Sequence, residues 1–293
     1  MLARSLALLE SAFDAFERLW ERKETQRVVG AILICVFLAL LVVVELSRRQ
    51  ILTELFGVEI PKNHFYAVNW AFTMLLGVEV LSLVFALAHS ISDALGKQFE
   101  ILSLILLRQS FKEFVYFNEP LQWQEVSEPI WHILSDMIGA LLIFGALTIY
   151  YRIQKHRPFI KSEKERKQFV LAKKIVGLCL LAIFVFAAIN DSLRALRGEE
   201  TYDFFATFYT VLVFSDVLLV LISLLFSSTY QVVFRNSGFA VATVVIRLAL
   251  TAPPFVNVGL GLGAALFAIG VTWVYNLSEK TTSVSFLSSS DAQ

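Results

Sequence analysis

Four charged residues interrupt long apolar stretches of this chain: Glu79 in "LLGVEVLSLVFAL", Arg108 in "EILSLILLRQSFKEF", Asp216 in "VLVFSDVLLVLISLLF" and Arg247 in "VVIRLALTAPP". An acid and an arginine in apolar surroundings have two uses. They neutralise each other and fix which helices pack together, or they line a path for an ion, a proton or a small anion. Arg108 follows Glu79 by 29 residues and Arg247 follows Asp216 by 31. This spacing sets each acid on one helix and its arginine on the next, and predicts the pairs Glu79–Arg108 and Asp216–Arg247 across antiparallel neighbours. Glu45 in "VVVELSRR" and Asp191 in "AAINDSLR" occupy similar places ahead of basic residues and are secondary polar candidates. Glu128, His132 and Asp136 recur at steps of four, but Pro129 breaks the run and a second histidine is lacking nearby, so no metal site is expected. With no nucleophile and base at usable spacing, neither an enzyme nor a cofactor is expected.

The elements that must hold these charges are membrane helices. The chain is 57% hydrophobic with 26 Phe, and its 25 Lys and Arg balance 25 Asp and Glu, which is a membrane composition. Apolar runs at 28–46, 66–88, 133–151, 171–190, 204–227 and 255–277 each approach the ~20 residues that a spanning helix needs. Segments 97–117 and 237–252 are apolar but carry Arg108 and Arg247. The loop 152–174 holds nine of the 25 cations and the first 27 residues hold five, so both regions belong on the cytoplasmic side. An even number of spans must then separate them, which obliges the Arg108 segment to cross. Treating the Arg247 segment alike gives an all-α polytopic protein of about eight transmembrane helices with both termini cytoplasmic. At the rise of a helix, ~1.5 Å per residue, all four charges come near the bilayer centre.

The polar positions also repeat. Acid, acid and arginine recur in order along 28–152 and 170–277, and the closing span of each set, "DMIGALLIFGAL" and "VGLGLGAALFAIG", is rich in Gly and Ala. The chain therefore reads as two four-span halves in parallel orientation, joined by a basic cytoplasmic linker at 153–169. Before them, residues 1–27 place Leu2, Leu6, Leu9, Phe13, Phe16 and Trp20 at helical steps, an amphipathic helix for the membrane surface or for packing on its own protein. After them, 278–293 is Ser- and Thr-rich and reads as disordered. Gly259 and Gly263 make a small-xxx-small face for close helix packing, within the chain or between subunits. Cys35 and Cys179 fall inside spans as small buried residues. Tyr66, Trp70, Trp123 and Trp131 fall at one set of boundaries and Tyr150, Tyr151, Trp273 and Tyr275 at the other, as interfacial belts. His64, His89 and His156 read as boundary residues, and Pro253 and Pro254 end the seventh span.

In the second half, "FYTVLVFSDVLLVLISLLF", "AVATVVIRLALTAPPF" and "VGLGLGAALFAIGVTWVYN", covering 204–277, resemble the PsiE (phosphate-starvation-inducible E) type of four-span bacterial membrane protein. The Ala-x-x-x-x-Ile-Arg-Leu core around Arg247 is the most specific part, and the first half resembles a more divergent copy. The resemblance implies a bacterial inner-membrane location and a link to nutrient stress. Two functions follow as expectations: a non-enzymatic assembly or regulatory module with structural charge pairs, or an ion, proton or small-anion channel or transporter gated by Glu79, Arg108, Asp216 and Arg247. The expected partners are the lipid bilayer, anionic lipid at the basic loop and a second copy of the chain, with no nucleic acid.

Overall fold

The computed structural model describes residues 2–52, 54–55, 58–86, 91–117, 119, 122–123, 127–154, 163–197, 204–226 and 229–290. These form helices α1 (Leu2–Glu21), α2 (Lys23–Arg48), α3 (Phe65–Ala86), α4 (Ile91–Lys112), α5 (Pro129–Ile153), α6 (Glu163–Leu196), α7 (Phe204–Phe226), α8 (Tyr230–Thr251) and α9 (Val256–Ser290). A 3-10 turn at Glu113–Tyr116 follows α4, and the α2–α3 connection contains a two-residue antiparallel pair, β1 (Glu54–Leu55) with β2 (Val58–Glu59). Seven helices, all except α1 and α4, contain a stretch long and apolar enough to cross a membrane. The chain is a multi-pass helical membrane protein.

Local chemistry sets the helix ends. α2 closes where Gln50 turns left-handed at φ 61° and the N–H of Ile51 reaches back to the Leu46 carbonyl, a wrap that satisfies otherwise orphaned carbonyls. Pro129 opens α5, at a position where its missing N–H costs nothing. Ala252, extended because Pro253 follows, ends α8.

α4 is the long helix of the bundle core that hydropathy does not mark as a span. It has the same 22 residues as α3 and α8 but carries Asp93, Lys97, Glu100, Arg108 and Lys112. It sits in the middle, packed on α5, α3 and α8. One of its faces, Leu95, Phe99, Leu102 and Leu106, enters a core shared with α5, α8 and α9; another, Ile101 and Ile105, enters a core shared with α3, α6 and α7. Protein surrounds much of this helix, and its charges find partners: Asp93 accepts from Gln154 at 2.7 Å, Lys97 lies 2.7 Å from Glu100, and Arg108 meets Glu79. Each consecutive pair from α2 to α5 and from α6 to α9 packs side by side, and the two sets meet through α4 against α8, α5 against α9 and α3 against α6.

Several expectations change. The segment expected at 97–117 starts six residues earlier, at Ile91, and stops at Lys112, because Asp93 and Lys97 find polar company at the helix start rather than marking its boundary. α6 begins at Glu163, inside the expected linker, whose residues 155–162 lie outside the described part, as do His89 and His156. The tail expected to be disordered continues α9 through Ser290; no Gly or Pro stands between Asn276 and Ser290 to stop the helix. α1 packs on α6, with Phe13 buried, while Leu8, Leu9, Phe16 and Leu19 stay exposed. Cys35 and Cys179 are exposed on their helices rather than buried, and Tyr150 is a core residue instead of an interfacial one.

Glycine packing also shifts. Gly259 and Gly263 face open space, so among the described residues they bring no helix close. Their neighbour Gly261 faces inward instead, where a Cβ would come 2.8 Å from Ile143 and 3.2 Å from Leu102, and a Cβ on Gly139 would come 2.5 Å from Val258. Two residues along the helix decide this, because residues i and i+2 point to opposite sides. Gly139→Leu and Gly261→Leu should each lose about 1–3 kcal/mol to overpacking, seen as a lowered unfolding temperature in detergent, while Gly259→Leu should leave that temperature unchanged.

Candidate functional site

The structure places Arg108 of α4 in direct contact with Glu79 of α3. Both side chains lean toward the N-termini of their own helices. In an antiparallel pair they therefore reach toward each other, and residues about a turn apart in level can meet. The aromatic stack of Phe72 on Phe111, with ring centroids 4.6 Å apart, fixes the level of the two helices alongside the pair. Arg108 lies only four residues from the end of α4, and Arg247 four residues from the end of α8. Both backbones thus stand off-centre, away from the 152–174 loop, and the long side chains carry the guanidinium groups inward.

Asp216 and Arg247 repeat the arrangement on α7 and α8, with Nε to Oδ2 at 3.5 Å. The two pairs differ in their surroundings. Arg247 is 1% and Asp216 5% exposed, whereas Arg108 is 28% and Glu79 10% exposed. Arg247 places Nε, Nη1 and Nη2 in the interior without a hydrogen-bond acceptor among the described residues, so its electrostatic balance rests on one carboxylate. Removing that carboxylate strands a buried cation.

Glu79 and Arg108 instead line a cavity of about 300 Å³ between α3, α4, α7 and α8. Its wall includes Gln109, Lys112, Tyr209 and Thr251 together with the rings of Phe72 and Phe205. Lys112 and Thr251 end their helices, so the cavity lies toward the side opposite the basic loop. Arg108 and Lys112, one turn apart on α4, line it together with Glu79. An anion entering past Lys112 meets Arg108 next and competes there with Glu79. The cavity wall also holds hydrogen-bonding groups on Gln109 and Thr251, while its rings exclude water from one flank.

The remaining sequence candidates fall outside this cavity. Glu45 ends in a surface cluster, 3.1 Å from Arg48, 2.7 Å from Arg49 and 3.4 Å from His64, whose other ring nitrogen is 3.0 Å from Glu119. Asp191 lies five residues from the end of α6 and lines neither charge pair. The Glu128, His132 and Asp136 series does not converge: His132 turns to Glu113 at 3.1 Å, and Asp136 accepts a hydrogen bond from Asn257 at 2.8 Å. Among the described residues no cluster suited to a metal occurs. That Asp136–Asn257 bond, between two residues that are both 0% exposed, ties α5 to α9. Sequence reasoning missed it because Asn257 lies at the very start of its helix and 121 residues away.

The fold and the site define a polytopic helical membrane protein with two interhelical acid–arginine pairs, one sealed and one opening onto a cavity. Comparison with family models, with curated proteins and with solved structures gives no match to this chain.

Asp216→Leu or Arg247→Met alone should each cost about 3–5 kcal/mol, because either leaves one buried charge unpaired. The double variant should recover most of that loss. Thermal unfolding of the four proteins in the same detergent measures the coupling. The same cycle on Glu79 and Arg108 should give a smaller coupling, since solvent reaches that pair.

Proposed function

We propose that this is a non-enzymatic bacterial inner-membrane protein of eight spans in two parallel four-helix halves, acting as a regulatory module whose cavity binds a small anion at Arg108. Supporting the eight spans is the central place of α4, packed on α5, α3 and α8. Supporting the halves is their packing, with the third helices α4 and α8 meeting each other and the fourth helices α5 and α9 doing the same. An axis along the membrane normal relates parallel repeats in this way. The likeness of 204–277 to the PsiE type adds the nutrient-stress setting.

The observation that carries the site is the difference between the two pairs. Glu79 and Arg108 keep solvent access in a cavity that also presents Lys112, and the repeated pair is packed shut. A cavity on one side of the bundle suits binding and reporting better than passage. Release of Glu79 by a competing anion frees α3 from α4, and the peripheral α2 rests on α3. A channel or transporter is the second reading, favoured by the reach of the cavity to an intramembrane charge pair.

Calorimetric titration of the full chain in nanodiscs with phosphate, chloride and acetate should give saturable binding of at least one anion. Arg108→Gln should weaken it by roughly tenfold or more, as loss of a charge-assisted contact does, and Glu79→Gln should strengthen it by removing the competitor. Liposomes under imposed voltage, pH or anion gradients should show no flux. A flux abolished by Glu79→Gln or Asp216→Asn would replace the regulatory reading with the permeation one, and absence of binding to any of the three anions would end both anion readings.

A further inference from the structure

A second concavity lies on the basic-loop side, away from the charge pairs. α1, α2, α3 and α6 enclose a groove of about 500 Å³ whose exposed lining is almost entirely apolar, including Phe16, Leu19 and Trp20 of α1, Phe85 of α3, and Leu178 and Ala182 of α6. Packing makes this groove. α1 is clamped onto α6 by Lys174, which lies 3.1 Å from Glu10 and 2.8 Å from Asp14, and by Phe13, whose ring sits where Gly177 has no Cβ. Trp20 then reaches α3, donating from its indole N–H to the Ser82 hydroxyl at 3.0 Å. α2 leaves α1 after the single extended residue Arg22 and packs on α3, so the space between α2 and α6 stays unfilled beneath α1.

Depth identifies what fills it. α6 is charged from Glu163 to Lys174 and apolar beyond, which sets the membrane boundary near Lys174. Leu178 and Ala182 lie four and eight residues further on, about 6–12 Å into the bilayer at helical rise. That is the acyl-chain region of the leaflet next to the basic loop. Trp20 and Thr25 both line the groove, and the chain between them carries Arg22 and Lys23, both exposed, with Arg18 and Arg27 four residues away on either side. Glu21 and Glu24 offset two of these four charges, leaving the corner positive.

We propose that this groove is a binding site for one anionic phospholipid, an acyl chain lying along Phe16, Trp20 and Ala182 and the phosphate held by Arg22 and Lys23. Basic residues at the surface attract anionic headgroups, and a preformed apolar groove holds the chain without reordering the protein. The occupied groove wedges α2 from α6 and completes the support of α1, which exposes Leu8 and Leu9 to the same interface.

The test uses the full chain in nanodiscs with Trp70, Trp123, Trp131 and Trp273 changed to Phe, leaving Trp20 as the reporter. Phosphatidylglycerol brominated on its acyl chains should quench Trp20 at several-fold lower mole fraction than brominated phosphatidylcholine. Arg22→Gln with Lys23→Gln should bring that ratio close to one, and Ala182→Phe, which fills the groove, should remove the high-affinity quenching. Equal quenching by the two lipids in proportion to their abundance, or quenching unchanged by Ala182→Phe, would overturn the proposal in favour of ordinary boundary lipid. If circular dichroism shows lost helix in the four-Phe variant, native mass spectrometry of the otherwise unaltered chain decides. Anionic phospholipid should stay bound to it and be lost from Ala182→Phe, and equal retention would overturn the site.

Discussion

A charge inside a bilayer cannot stand alone, and the arrangement of this protein follows from that. On insertion scales an isolated Arg or Asp at the centre of a span costs about 2.5–3.5 kcal/mol, so α3 and α4, and again α7 and α8, must be set at the level where acid and guanidinium meet. Once Glu79 and Arg108 touch, Phe72 falls on Phe111 and the register of the first half is set. Once Asp216 and Arg247 meet, Ile246 and Ala249 are placed in the central core. The pairs thus select among many equally apolar packings, a selection that Leu against Leu cannot make in lipid.

Much of this was legible in the chain. Six apolar runs stand out by length alone, and a helix carrying a lone Glu followed by one carrying a lone Arg leaves few other partners for either. The loop charges demanded a helix around Arg108 even though its composition argues against a span. What the chain did not disclose depends on the angular position of single residues. Gly259 and Gly261 are equally small and two steps apart, yet only Gly261 meets Ile143 and Leu102. Tyr150 and Tyr151 are adjacent and chemically alike; the first is buried in the core and the second donates to Glu100 at 2.8 Å. Near the candidate site, the equivalence of the two acid–arginine pairs was visible in the spacing, but their unequal exposure was not. It is set by which helices crowd each pair, and α7 and α8 wall the cavity at Glu79 from the other half of the chain.

The two pairs also differ in what they permit. A sealed pair with one carboxylate to balance a whole guanidinium is a rigid joint, because any movement separates opposite charges in a low dielectric. An open pair can exchange its partner for solvent or solute at lower cost. Of two acid–arginine pairs, one is thereby a fixed point and the other a place where contacts can change.

The central position of α4 has a consequence for how the chain enters a membrane. Helices emerge from synthesis in order, and each is sorted between lipid and water by its own composition before its later neighbours exist. α2 is the most apolar of the spans and the least buried, so it can partition into lipid by itself. α4 is the reverse: its shelter is α5 beside it and α8 more than a hundred residues later. The helix at the centre of the bundle therefore reaches its full packing only once α8 is present.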